Sequence, residues 1–221
     1  MPATHSFEPY TYEVPLDFYW KVYNSRFPKH ELFPFILDSE VTELIVEENG
    51  NEKSTRKTKL DIDAPGWFKT LFSIHYSIFI EESYYDKENQ KITIKTINET
   101  LSSKAKMIDI TVYQVHPTNP NWCTFTQTGT VELLVSVLGF QKKIEKYVLD
   151  LYKSRYDESR ELDKKMIERY KQDVEAKNNS SNNNIQNNCS NSSENNTNTD
   201  TAVQPIQNIT ATSESSSTPV S

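Results

Sequence analysis

Residues 106–134 read KMIDITVYQV-HPTNPN-WCTFTQTGTVELL, and their alternation decides the fold class. Apolar and polar side chains take turns through Ile108-Asp109-Ile110-Thr111-Val112, the period-2 signature of a strand with one covered face and one wet face. The segment His116–Asn121, with Pro117 and Pro120, is a turn signal. It is too short to join parallel strands, which need a crossover of about a dozen residues, so Lys106–Val115 and Trp122–Leu134 are expected to be antiparallel neighbours.

Outward from this pair the pattern recurs. Lys91–Asn98 alternates at Ile92-Thr93-Ile94-Lys95 and meets Ile74–Tyr85 across Asp86-Lys87-Glu88-Asn89. Ile36–Glu47 and Glu52–Leu60 flank Asn49-Gly50-Asn51, a hairpin signal. Thr4–Glu13, rich in Tyr and Thr but interrupted by Pro9, suits an edge strand. The sum is about seven strands in a meander.

Two helices frame the strands. Pro15 opens Leu16–Phe27, where Leu16, Tyr19, Trp20, Tyr23 and Phe27 fall on one face. Pro28 ends it, because the residue before a proline leaves the helical region. From Gln141 to Ala176 there is no Gly or Pro. Ile144, Tyr147/Val148, Leu151, Arg155, Leu162, Met166 and Tyr170 form one side of a long helix. The expected fold class is α+β: a curved antiparallel sheet of about seven strands, packed by a long C-terminal helix and a shorter N-terminal helix. Such a sheet and helix leave a wedge between them, filled by side chains or by a ligand.

Composition divides the chain. Its 12 Tyr, 10 Phe and 3 Trp all lie within residues 1–177, whereas residues 178–221 hold no aromatic, Lys or Arg and are dominated by Asn, Ser and Thr. Residues 1–176 are expected to form one domain, and 177–221 a disordered tail unable to bury enough apolar surface to offset its ordering entropy. Net charge is −7 from 24 basic and 31 acidic residues. Removing Glu194, Asp200 and Glu214 leaves 28 acids against 24 bases, −4, which argues against a nucleic-acid binder. No apolar run reaches the roughly 18 residues of a membrane span, and the start shows no cleavable presequence pattern. Cys123 and Cys189 are the two cysteines, too few for a disulfide framework. The composition predicts a soluble, reduced, intracellular domain.

Catalytic constellations are missing from the pattern. His5, His30, His75 and His116 have no second ligand at metal spacing. Gly50, Gly66, Gly129 and Gly139 build no phosphate loop, and no G-x-S-x-G occurs. The carboxylate pairs Glu47-Glu48 and Glu81-Glu82 read as solvated turns at hairpin ends. A binding protein without enzymatic activity, metal or cofactor is expected.

Two features stand out. The segment Asp61–Phe72 sets Trp67, Phe68, Leu71 and Phe72 beside Pro65-Gly66. It reads either as a short amphipathic helix packed in the core or as a hinged lid over an apolar cavity that dips into a membrane interface. Basic residues also adjoin apolar runs: Arg26 after Tyr23, Arg56 and Lys59 in a strand, and Arg155 beside Leu151 on the helix face. An inward cation needs an anion, either an internal carboxylate, the commoner partner, or a phosphate group.

These residues resemble a known family. Tyr23-Asn24-Ser25-Arg26-Phe27-Pro28, Ala64-Pro65-Gly66-Trp67-Phe68-Lys69, Tyr113–Pro120 before Phe125-Thr126-Gln127, and the long charged final helix look like the PRELI family over about residues 4–170. The resemblance implies a helix-grip fold related to START and phosphatidylinositol-transfer domains. It implies transfer of phosphatidic acid or phosphatidylserine between the mitochondrial outer and inner membranes. The setting would be the intermembrane space, in a heterodimer with a small twin-Cx9C helical-hairpin protein. By position, Arg26, Arg56 and Lys59 match the family's basic pocket residues, and Arg155 joins them as a headgroup candidate. Asp63, Pro65, Gly66, Trp67, Phe68 and Lys69 fall in its lid loop. Leu60 and Asp63 stand where some phosphatidic-acid carriers have lysines, and Pro34 where one has a histidine. The alternative is a non-transporting adaptor whose apolar loop and long helix form a docking surface.

Overall fold

The computed structural model describes residues 2–61, 66, 69–70, 73–135 and 141–190, with side chains of the final helix described over 142–177. Eight strands form one antiparallel sheet. They are β1 (Ala3–Ser6), β2 (Tyr10–Tyr12), β3 (Ile36–Val46), β4 (Glu52–Asp61), β5 (Tyr76–Asp86), β6 (Lys91–Asn98), β7 (Ala105–His116) and β8 (Asn119–Leu133). Their order is β1-β8-β7-β6-β5-β4-β3, with β2 also paired to β8. The single N-terminal strand expected from sequence is thus two, both on β8. Pro9 lies between them and has no N–H to give the ladder.

Helix α1 (Leu16–Ser25) starts after Pro15 and buries Leu16, Tyr19, Val22 and Tyr23. Helix α2 spans Gln141–Ser190, beyond the expected end at Ala176. No Gly or Pro stands in its path to stop it. By contacts the chain divides into Met1–Glu175 and Ala176–Ser221. The packed core belongs to the first of these, and the tail beyond Ser190 lies outside the described residues.

The core sits between the concave sheet face, α1 and α2. Tyr19, Val22 and Phe33 meet Ile92 and Phe125 of the sheet and Met166 and Ile167 of α2. Farther along, Ile144 of α2 packs on Ala105 and Leu133, and the Glu145 carboxylate accepts the Leu133 backbone N–H at 3.1 Å.

Strand parity corrects one expectation. On β6 the apolar residues Ile92 and Ile94 face the core, as the alternation suggested. On β7 the covered face instead carries Asp109, Thr111 and Tyr113, because Tyr113 pairs with Ile92 and Thr111 with Ile94. Ile108, Ile110 and Val112 therefore lie on the convex face. A strand cannot turn Tyr113 toward Tyr19 without turning Asp109 and Thr111 the same way. The inward carboxylate is satisfied: Asp109 accepts Gln127 Nε2 at 2.8 Å, Thr111 Oγ1 at 2.9 Å and the Tyr152 hydroxyl of α2.

Candidate functional site

An apolar cavity of about 580 Å³ lies between the concave face and α2. Phe79, Met107 and Val131 form part of its floor, and Val148, Leu151 and Leu162 part of its roof. Phe35, Leu60, Asp61 and Ile74 line it at the end where β4 leaves the sheet and β5 enters. The helix contributes lining residues from Ile144 to Leu162 at three- and four-residue spacing, the stripe visible in the sequence. Arg155 and Glu158 also line the cavity, paired at 2.5 Å and half exposed. The volume falls within the roughly 300–1,000 Å³ of small-molecule sites.

Beside this cavity is a buried polar cluster that locks α1 to α2 and the sheet. Asp163 of α2 accepts Tyr12 Oη at 2.6 Å, Tyr19 Oη at 3.1 Å and Arg26 Nη2 at 3.1 Å. Arg160 Nη2 lies 3.3 Å from it. On the other side of α1, Glu81 of β5 accepts Arg56 Nη1 at 2.7 Å and the Tyr23 hydroxyl, while Arg56 Nη2 donates to Asn24 Oδ1 at 2.6 Å. Arg160 Nε finds no hydrogen-bond partner among the described residues. Its guanidinium instead stacks 3.9 Å over the Phe125 ring.

The electrostatics follow from burial. Tyr12, Tyr19 and Tyr23 are held well above the usual phenol range, first by loss of solvent and then by the adjacent carboxylates. Burial pushes Tyr113 up to about 12. For Arg26 burial opposes the charge, but Asp163 and the surrounding tyrosine oxygens outweigh it, so its pKa stands above the ordinary value. Burial alone raises the Cys123 thiol to about 12.

The four expected headgroup cations therefore separate. Arg155 lines the cavity. Arg26 and Arg56 do not line it, and each already holds an internal carboxylate, the alternative open from sequence. Lys59 is on the opposite side of the sheet: its neighbour Leu60 lines the cavity, and its own ammonium rests 4.0 Å above the convex-face ring of Tyr76. One residue of strand parity makes the difference. Glu81 is likewise no solvated turn residue but a buried mid-strand partner of Arg56. Of the expected lid, Asp63, Pro65, Trp67 and Phe68 lie outside the described residues. Gly66 and Lys69 are helical, and Thr70 Oγ1 donates to the Gly66 carbonyl at 2.8 Å.

Asp163, Arg160 and Tyr152 were absent from the sequence reading. Asp163 had a signal: it stands three residues before Met166 and seven before Tyr170, a carboxylate on the apolar stripe.

Comparison with known proteins agrees with this architecture. A model of the PRELI-like family matches residues 17–174. Protein real-time of Drosophila pseudoobscura pseudoobscura is 34% identical over 142 residues, 64% of this chain and 21% of that protein. Its namesake in Aedes aegypti is 31% identical over 152 residues, 68% of this chain and 23% of that protein. The chain thus spans under a quarter of the length of these curated relatives. Among solved structures, the Zhui aromatase/cyclase from Streptomyces sp. R1128 superposes with a TM-score of 0.52 at 10% identity, covering 76% of this chain and 95% of that one. That likeness concerns the fold, a helix-grip architecture.

Proposed function

The chain belongs to the PRELI-like family, and from that premise we propose that it is a non-catalytic carrier of an anionic glycerophospholipid, phosphatidic acid or phosphatidylserine. The family and the helix-grip fold suggest a lipid-binding or lipid-transfer role. The observation that carries the reading is the apolar cavity of about 580 Å³ between α2 and the sheet. Acyl chains buried there gain roughly 0.8 kcal/mol per methylene. Among the lining side chains, Arg155 is suited to the phosphate: it already holds a carboxylate, Glu158, at the cavity edge. A phosphate in place of that carboxylate forms the same charge-assisted pair with a planar guanidinium.

In this reading the carrier works in the mitochondrial intermembrane space, between outer and inner membranes, touching each bilayer transiently. A small twin-Cx9C helical-hairpin protein is its partner. The family resemblance supports that setting. Native mass spectrometry of the purified chain is expected to show one bound phospholipid. Vesicle-to-vesicle transfer assays across a headgroup panel are expected to favour anionic lipids. A protein that purifies lipid-free and moves no lipid, with or without the hairpin partner, overturns the reading. Protease protection in fractionated mitochondria tests the location separately.

A further inference from the structure

The two edges of the sheet are built differently. One consists of β1 and β2, of four and three residues, with Pro9 between them. Short strands and proline protect an edge from unwanted pairing. The other is β3, eleven residues long and, among the described residues, bonded within the sheet to β4 alone. Its outer side presents a row of backbone N–H and C=O groups, a template for another strand.

Cross-strand partners share a face, so the register with β4 sorts the side chains of β3. Val41, Leu44 and Val46 pair with Arg56, Ser54 and Glu52 and share the concave face with the inward Arg56. Asp38, Glu40 and Glu43 pair with Lys59, Lys57 and Thr55 on the convex face. At 52%, 63% and 63% exposure, Val41, Leu44 and Val46 are the most exposed large apolar residues described. An apolar strip of this kind on a long edge marks an interaction surface.

The neighbouring lysines do not neutralise the acids. Lys57 Nζ reaches across to Glu99 at 2.8 Å. Lys59 Nζ rests over Tyr76, and Lys53 Nζ is held by Glu47 at 2.5 Å. Among the described residues no ion pair reaches Asp38, Glu40 or Glu43. The concave face of this edge is apolar, and the convex face is acidic from Asp38 to Glu43, with Ile45 beyond it beside Lys53.

We propose that the outer edge of β3 docks an extended segment of another protein in which apolar residues alternate with lysine or arginine. Main-chain bonds supply the pairing, the apolar residues cover Val41, Leu44 and Val46, and the basic ones meet Asp38, Glu40 and Glu43. A second copy of this chain fits poorly, because two antiparallel β3 edges with their apolar faces together set acids beside acids. The register shifts between Ile36/Asp38 and Val41/Glu43 leave two regular runs, Asp38–Val41 and Glu43–Val46, for the incoming strand.

The test uses the full chain and a nine-residue synthetic peptide alternating valine and lysine, with a valine–glutamate peptide as control. Amide NMR shifts are expected to map to β3. By fluorescence anisotropy the lysine peptide is expected to bind at least tenfold more tightly than the control and to weaken as salt rises. The Glu40→Lys/Glu43→Lys variant is expected to lose at least tenfold in affinity while its lipid content by native mass spectrometry stays unchanged. That second readout separates failure here from failure of the carrier reading. Shifts mapping elsewhere, equal affinity for both peptides, no binding, or a sedimenting dimer with protected β3 amides would each overturn the proposal. The NMR map on the unaltered protein decides the matter even where a variant misfolds.

Discussion

Replacing Gly129 by alanine sets two effects of opposite sign against each other. In a strand interior alanine normally stabilises relative to glycine by about 0.5–1 kcal/mol, through the entropy of the unfolded chain. Here the added Cβ stands 2.5 Å from Tyr152 Cε1, 2.6 Å from Cζ and 2.9 Å from the hydroxyl. The backbone cannot give way, because Gly129 is paired to Asp109 on one side and His5 on the other. The Tyr152 ring must move, and with it the bond from its hydroxyl to Asp109. Overpacking costs about 1–3 kcal/mol, and a lost hydrogen bond to a charged group about 1.5–3 kcal/mol. The steric loss wins, with a net destabilisation of about 2–4 kcal/mol. Urea denaturation followed by circular dichroism measures it, and Tm is expected to fall by about 2–4 °C per kcal/mol. The double-mutant cycle is sharper: with Tyr152→Ala already in place the clash is gone, and Gly129→Ala is expected to stabilise by about 0.5–1 kcal/mol. An equal cost in both backgrounds refutes the reasoning. Tyr152 also lines the cavity, so the single variant is expected to retain less lipid as well.

Asp163→Ala leaves Arg26 and Arg160 buried without their carboxylate and is expected to cost about 3–5 kcal/mol in chemical denaturation. Arg155→Glu is expected to lower co-purified anionic phospholipid in native mass spectrometry with little change in Tm, whereas Lys59→Glu on the convex face leaves lipid content unchanged. Arg26→Glu sets two carboxylates together at Asp163; it is expected to destabilise the fold itself by several kcal/mol, visible as a lowered urea midpoint. The alkaline limb of stability follows from the raised pKa values of Cys123, from 9.0 to about 12, and Tyr113, from 10.0 to about 12. Both groups hold their protons longer folded than unfolded, so their contribution is complete below pH 9 and is lost as pH climbs through about 12. Denaturation midpoints from pH 8 to 11 test this, and a midpoint that rises over that interval contradicts it. For the same reason mass-mapped thiol labelling at pH 8 is expected to modify Cys123 only on unfolding.

The secondary structure was largely legible in the residue order. Turns such as Asn49-Gly50-Asn51 and Asp86–Asn89 delimit the strands, and the stripe from Ile144 to Leu162 on α2 is the stripe that roofs the cavity. These signals are local, arising within one turn of helix or a few residues of strand. The fate of each charge was not legible. Arg26 and Arg56 adjoin apolar runs in the same way as Lys59, yet the first two are buried against carboxylates and the third lies outside.

Sequence alone determined an antiparallel meander with a covering C-terminal helix, because period-2 and period-3.6 burial are properties of neighbouring residues. Tertiary structure alone decided which face of β7 is covered, that Arg26 meets a carboxylate 137 positions away, and that β3 is the last of the described strands at its end of the sheet. Parity and partnership are set by packing between distant segments, whose free energies enter only when the chain has closed on itself.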